Sequence, residues 1–138
     1  MTGEQFVQAA RAYTGVRWRH QGRSSLGVDC IGLVILAAHD LGLTDHDQTD
    51  YGRIPDGQKL QQELSKHLIK VDAPQVGDVL LMRFDQNPQH VAIKTDLGIL
   101  HAYAQVRRVV EHRLDDVWAS RILATYRFKE ISACPVQF

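Results

Sequence analysis

Cys30 is the residue of this sequence whose position most favours chemistry. The run Cys30–Ala38 is almost entirely apolar, and Asp29 directly before it is a typical helix N-cap. Cys30 therefore falls in the first turn of a predicted helix, where unpaired N–H groups and the helix dipole favour a thiolate over a thiol. Gly32 would leave room for a substrate backbone to approach. The alternative is that Cys30 is a small buried apolar residue, which is the ordinary state of a free cysteine.

A nucleophilic thiol needs a base, and two of the seven histidines are placed to supply one. His90 begins an apolar segment that is predicted to be a strand, and His101 lies within a second such segment. A turn near Asp96–Gly98 would join these strands into a hairpin with both imidazoles on one face, within hydrogen-bond distance. In that arrangement His90 activates Cys30, and His101 orients His90. Taken singly, each histidine is more simply a satisfied residue of a sheet.

Metal chemistry is the first alternative for the same residues. Cys30, His90 and His101 could supply three zinc ligands. However, the sequence contains neither a Cys-x-x-Cys nor a His-Glu-x-x-His spacing, so we predict no metal and no cofactor. The segment Asp45–Asp47 could attract a cation weakly, but its composition is more typical of a solvated loop. The remaining histidines give weaker signals: His20, His39, His46, His67 and His112.

The elements that must position these residues divide the chain into helices first and strands afterwards. Periodicity and capping predict helices from the Thr2 cap to Gly15, from the Asp29 cap to Gly42, and over Gln58–Ile69. Strands are predicted at Val79–Phe84, His90–Thr95, Ile99–Tyr103, Arg108–Arg113 and Ile122–Phe128. Short connections between consecutive strands predict an antiparallel meander. The order of elements predicts an α+β fold with the helices on one face of the sheet.

Length and charge narrow the class of protein. The 138 residues are enough for a single domain over residues 1–138, with a hydrophobic core that needs no disulfide or metal to stabilise it. Sixteen basic residues balance sixteen acidic ones, so nothing favours nucleic acid or an anionic membrane as a partner. The two cysteines are too few for a disulfide framework, and Cys134 lies near the chain end. Neither a membrane span of about 18 apolar residues nor a signal peptide is predicted.

Five blocks of this sequence follow one another in chain order: Gly15–Gly22, Gly27–Val34, Gly77–Leu81, His90–Ile93 and His101–Ala102. Together they resemble the NlpC family of papain-like cysteine peptidases of the bacterial cell wall. The most specific feature is the Asp-Cys-x-Gly-Leu core of the second block, and the resemblance extends from about Phe6 to Phe128. The compact form with Arg-His-Gln before the cysteine is similar to phage tail-associated members.

The resemblance implies a papain-like fold, with N-terminal helices packed on an antiparallel sheet of about five strands. It also implies hydrolysis of peptidoglycan stem peptides, typically between D-glutamate and the diamino acid. By the match, Cys30 is the nucleophile, His90 is the general base and then the acid, and His101 is the polar third member. The backbone N–H of Cys30 would donate to the oxyanion.

The predicted substrate and oxyanion region contains Trp18, His20 and Asp29, and it departs from the family at two positions. Trp18 stands where the family usually has a Tyr that assists the oxyanion, and an indole N–H is also a donor. Ile31 follows the nucleophile in place of the common Ser, which removes a polar contact to substrate. Asp29 is expected to meet a substrate amine or to serve as the helix cap.

The resemblance also indicates partners and location. The expected partners are a peptidoglycan stem peptide and other phage tail proteins. The expected location is the virion tail, or the host cytoplasm before assembly, with action at the bacterial wall. Two alternatives keep the same fold: a non-catalytic tail structural or wall-binding module, and a thiol acyltransferase.

Overall fold

The computed structural model describes residues 1–44, 46–47, 57–84 and 87–131, and at residues 57, 87 and 88 it describes the backbone alone. The helices of this part are α1 Gly3–Arg11, α2 Cys30–Asp40, α3 Gly57–His67 and α4 Asp116–Ala119. The strands are β1 Arg23–Ser24, β2 Gly27–Val28, β3 Ile69–Val71, β4 Val79–Phe84, β5 Asn87–Lys94, β6 Ile99–Tyr103, β7 Arg108–His112 and β8 Ile122–Arg127. None of the described helices has the length and apolarity that crossing a membrane requires.

The first two helices begin where their capping residues predict. The Thr2 hydroxyl accepts a hydrogen bond from the Gln5 N–H at 3.2 Å, and the Gln5 side chain accepts from the Thr2 N–H at 2.8 Å. The Asp29 carboxylate accepts from the Gly32 N–H at 2.8 Å and starts α2. At its other end α1 stops at Arg11, and turns carry the chain to Gly15, whose φ of 86° needs glycine.

The predicted α+β class is confirmed, while the order of the strands differs from a simple meander. The six-stranded sheet has the order β3-β8-β4-β5-β6-β7, and its pairs are antiparallel. The meander holds from β4 to β7. The short helix α4 then lets the chain return, so that β8 pairs with β4 and β3 on the other side of the sheet. The leucine periodicity predicts that the third helix extends to Ile69, but in the structure α3 ends at His67 and Ile69 begins β3, which the sequence pattern does not predict.

The two faces of the sheet are covered by different elements. On one face the helices α1, α2 and α3 bury a core that includes four residues of β4 and β5: Val79, Leu81, Val91 and Ile93. On the other face the even-numbered residues of these strands meet the segment after β7, where Trp118 of α4 provides the largest side chain. The predicted helices therefore share one face, and the unpredicted α4 covers the other. Alternation along β5 places His90 on the α4 face.

The Gly-Asp pair that precedes β4 ties three elements together. Gly77 has φ of 95°, and a Cβ there would collide with Gly3 at the start of α1. The carboxylate of Asp78 is fully buried and accepts from Arg127 of β8 at 2.7 and 2.9 Å. It also accepts from the Gln75 N–H at 2.8 Å. The Asp78 carboxylate therefore fixes the start of β4 against β8, and the close approach of Gly77 to Gly3 fixes the same segment against α1.

We predict that Asp78→Ala lowers the free energy of unfolding by about 3–5 kcal/mol, because it leaves the Arg127 guanidinium without its buried counter-ion. The measurement is urea unfolding followed by circular dichroism. The matched control is Asp47→Asn, which removes a surface partner of Arg23 and should cost no more than about 1 kcal/mol. Equal losses in the two variants would contradict the structural role of Asp78.

Candidate active site

Cys30 is a free, buried thiol at the first residue of α2. Its sulfur accepts hydrogen bonds from the backbone N–H groups of Val91, Ile31 and Cys30 itself. Val91 follows His90 on β5. The contact therefore fixes the N-terminus of α2 against the strand that carries the predicted base.

The pairing of β5 explains why the Val91 N–H is available to the thiol. In the antiparallel pairing of β5 with β6, Ile93 lies opposite Leu100 and Lys94 lies opposite Ile99, both next to the turn. The N–H of Lys94 donates to Asp78 on the β4 side, so the N–H of Val91, three residues earlier, points to the β6 side. There it meets Cys30 beyond the paired part of the hairpin.

The protonation state of Cys30 differs from the prediction. Burial, and to a smaller extent the negative charge of Asp29, raise the pKa of the thiol to about 12 against the opposing effect of the three N–H donors. The expectation that the helix start favours a thiolate is therefore wrong for the resting protein. Desolvation outweighs the helix N-terminus, and Cys30 is a neutral thiol at neutral pH.

The predicted contact between the two histidines is confirmed. Nε2 of His90 lies 2.6 Å from Nδ1 of His101, and both rings are buried. The turn that joins their strands is closed by the Thr95 N–H, which donates to the Gly98 carbonyl at 2.8 Å. The hairpin thus brings the two imidazoles together on one face, as the strand periodicity predicts. Their catalytic roles stay predictions.

A third histidine, His112 of β7, extends this pair, although the sequence pattern assigns it no role. Nε2 of His101 lies 2.8 Å from Nε2 of His112, and Nδ1 of His112 lies 2.9 Å from the carbonyl oxygen of Arg113. The three histidines form a chain across three neighbouring strands. The signal that could have found it is the repeated separation of 11 residues between them.

Aromatic side chains enclose the histidine chain. The Tyr103 ring stacks on His101 with centroids 5.2 Å apart, and Trp118 meets His101 edge-on at 5.1 Å. Phe84 packs against His90 at 5.1 Å. These apolar rings exclude water from the site, and Trp118 comes from the helix that sequence reasoning missed.

Burial sets the protonation of both inner histidines. Together with the positive charge of Arg121, it lowers the pKa of His90 to about 3. It lowers the pKa of His101 to about 2, with the neighbouring His90 and His112 contributing. Both imidazoles are therefore neutral at neutral pH.

Asp29 and Gly32 serve the local fold. The Asp29 carboxylate is 4% exposed and accepts from the N–H groups of Gly32 and Gln21 as well as from Arg23. Of its two predicted roles, the structure provides the contacts of the helix cap. A Cβ on Gly32 would collide with the Gly22 carbonyl oxygen, so the space at Gly32 is taken by the chain itself rather than left for a substrate.

Trp18 and His20 lie on the segment that leads to Cys30. The backbone N–H of Trp18 donates to the Arg107 carbonyl at 2.8 Å. Trp18 also forms an isolated β-bridge with Val28, two residues before Cys30. His20 is half-buried in the turn before β1. Trp18 lines a cleft of about 820 Å³ together with Arg17, Ala104 and Arg107. Because Ala104 directly follows β6, the cleft joins the segment before the thiol to the strand of His101.

The described residues whose ligand atoms cluster closely enough to hold a metal are His46, Glu63 and His67, within 4.8 Å of one another. This group differs from the zinc alternative of Cys30, His90 and His101. The imidazoles of His46 and His67 stack with an interplanar angle of 26°, an arrangement that disfavours convergence of their lone pairs on one ion. The predicted loop residue Asp45 lies outside the described residues, as does Cys134.

A model of the NlpC/P60 family matches residues 15–127. No curated protein sequence matches the chain. The NlpC/p60 domain of the peptidoglycan hydrolase SagA is similar in structure, with a TM-score of 0.66 and 22% identity over 93% of this chain and 100% of that one.

Two longer proteins are also similar in structure. One is an NlpC/P60 family protein from Bacillus cereus, with a TM-score of 0.71 and 21% identity over 93% of this chain and 40% of that one. The other is NlpC1 from Trichomonas vaginalis, with a TM-score of 0.69 and 19% identity over 91% of this chain and 43% of that one. This chain spans less than half the length of either. Because the family model covers most of the sequence, from Gly15 to Arg127, the chain belongs to the NlpC/P60 family.

Proposed function

We propose that this protein is a cysteine peptidase that hydrolyses stem peptides of peptidoglycan. The observation that carries the proposal is a thiol at the start of a buried helix, bonded to the strand of a histidine whose ring is oriented by a second histidine. The NlpC/P60 family generally comprises peptidoglycan hydrolases, and membership supports this substrate. Cys30, His90 and His101 are the proposed catalytic group.

The reaction starts from neutral partners. As the Cys30 sulfur attacks the amide carbonyl carbon, its proton passes to His90, and the backbone N–H of Cys30 stabilises the oxyanion. His90 then donates that proton to the leaving amine, and a thioester remains. Water attacks the thioester while His90 takes a proton from it, and the sulfur leaves as the acid forms. Returning the proton to the sulfur restores the neutral pair.

The cleft beside Trp18 supports an acidic substrate. Arg17 and Arg107 line it, and guanidinium groups pair well with carboxylates. D-Glutamate and the diamino acid both contribute carboxylates near the proposed scissile bond. We propose that the scissile bond lies between D-glutamate and the diamino acid, and that Trp18 and His20 lie where the substrate binds.

The location that we propose is the phage tail, with the host cytoplasm before assembly and the bacterial wall as the place of action. Support comes from the compact block order and from Arg19–Gln21 before the cysteine block. Other tail proteins are the proposed partners, and residues 1–138 are proposed to form one domain. The test is co-purification of the protein with intact virions and its absence from tail-less particles.

Substitution of Cys30 by Ala should abolish digestion of purified peptidoglycan and leave the circular dichroism spectrum unchanged, because the nucleophile is lost and little volume is removed. The matched control is Cys134→Ala, which should retain wild-type activity. Products are identified by mass spectrometry. Wild-type turnover by Cys30→Ala would contradict the cysteine mechanism.

The same assay separates the alternatives. Binding to peptidoglycan with no product would favour a wall-binding module, and transfer of the acyl group to an added amine would favour an acyltransferase. Chelation by EDTA should leave hydrolysis unchanged. Activity that is lost in EDTA and restored by Zn²⁺ would favour a metal mechanism.

His101→Asn should keep substantial activity, whereas His101→Ala should lose about tenfold or more. Asn presents an oxygen that can accept from the His90 N–H, and Ala presents none. His90→Asn and His90→Ala should both be far worse, because neither side chain carries a proton between thiol and amine. Turnover of a purified tetrapeptide muropeptide measures this. Activity in His90→Asn but not in His101→Asn would indicate that His101 is the base and that His90 orients it.

Alkylation of Cys30 by iodoacetamide should accelerate about tenfold per pH unit between about pH 6 and 9. Only the thiolate reacts, and because burial raises the thiol pKa to about 12, the thiolate fraction grows throughout this range. The Cys30→Ala variant corrects for reaction at other sites. A rate that is independent of pH above about pH 5 would instead indicate a preformed thiolate–imidazolium pair.

A further inference from the structure

The histidine chain ends on a group that can only accept a hydrogen bond. Nδ1 of His112 lies 2.9 Å from the carbonyl oxygen of Arg113, so this nitrogen must carry the hydrogen. A neutral imidazole has one N–H. Nε2 of neutral His112 is therefore an acceptor, and it faces Nε2 of His101 at 2.8 Å.

The direction of the first bond decides the others. His101 must donate from Nε2 to His112, which leaves Nδ1 of His101 as an acceptor. His90 must then donate from Nε2 to that nitrogen, across the 2.6 Å contact. The remaining nitrogen, Nδ1 of His90, has no hydrogen and is the atom that can receive a proton. Burial keeps His90 and His101 neutral, so each imidazole carries a single N–H.

We propose that His112 is a positioning residue that fixes the tautomer of His90 through His101, so that Nδ1 of His90 is the basic nitrogen of the site. Without an acceptor at position 112, His101 can carry its hydrogen on Nδ1. It would then donate to Nε2 of His90, and the hydrogen of His90 would move to Nδ1. In that state His90 cannot accept the thiol proton at Nδ1.

The surroundings hold His112 in this role. Trp118 packs against His112 with centroids 5.0 Å apart and against His101 at 5.1 Å, so one side chain positions both rings. His112 also lies on β7, where His101 pairs directly with Val110. The rings therefore have defined orientations before any substrate arrives.

Two variants of His112 separate an acceptor from a donor. His112→Gln retains an amide oxygen near the position of Nε2 that can accept from His101. His112→Lys presents only donors and should reverse the chain. His112→Phe fills the space of the ring with neither and controls for packing against Trp118. Because His112 is only half-buried, we expect all three to fold, which circular dichroism checks.

The decisive readout is the tautomer of His90, measured by nitrogen-15 NMR on histidine-labelled protein at neutral pH without substrate. The wild type and His112→Gln should carry the hydrogen of His90 on Nε2, and His112→Lys should carry it on Nδ1. A hydrogen on Nδ1 in the wild type would overturn the proposal. So would a tautomer that is the same in His112→Lys as in the wild type.

The kinetic consequence rests on the proposed peptidase function, whereas the NMR result does not. On a muropeptide substrate, kcat of His112→Gln should stay within about threefold of the wild type, and kcat of His112→Lys should fall at least tenfold with KM unchanged. Equal kcat in His112→Gln and His112→Lys would overturn the proposed role in catalysis. If neither the wild type nor any variant cleaves peptidoglycan, the proposed function is wrong. The tautomer measurement still decides whether His112 is a positioning residue.

Discussion

The contact between the N-terminus of α2 and the backbone of β5 is the constraint on which this site depends. The Val91 N–H points towards β6, yet it bonds to the Cys30 sulfur beyond the paired part of the hairpin. Any closer pairing of β5 with β6 would take this donor away from the thiol. The site therefore lies where the pairing of β5 with β6 ends. The paired residues next to the turn hold the two strands in a fixed relative position.

Burial governs the chemistry that this arrangement can support. A thiol with its pKa raised to about 12 and an imidazole with its pKa lowered to about 3 are both uncharged at rest. Charge separation between them is costly in a dry site, so it has to coincide with the attack on a substrate that excludes the remaining water. The N–H groups around Cys30 then act on a sulfur that is becoming negative. Their contribution is largest in the transition state, where it accelerates the reaction.

The sequence predicts those parts of the molecule that local patterns determine. The Asp29 cap, the apolar run after it and the hairpin of His90 and His101 follow from capping and periodicity within short windows. The position of β8 beside β4 cannot be obtained in this way, because it depends on α4 carrying the chain back across the sheet. The protonation of Cys30 was mispredicted for a similar reason. The helix terminus is a local feature, whereas desolvation depends on everything that packs around the thiol.

The histidine spacing shows how register could have revealed His112. In β6 and β7 the residues Leu100 and Glu111 pair directly, as do His101 and Val110, so an odd-numbered residue of one strand shares a face with an even-numbered residue of the next. The same relation holds between β5 and β6. Any odd separation therefore keeps side chains of consecutive strands on one face, and 11 places each histidine diagonally across from the last. An even separation would have put them on opposite faces. Three histidines that repeat an odd separation across a predicted meander thus favour a single connected chain over three independent residues.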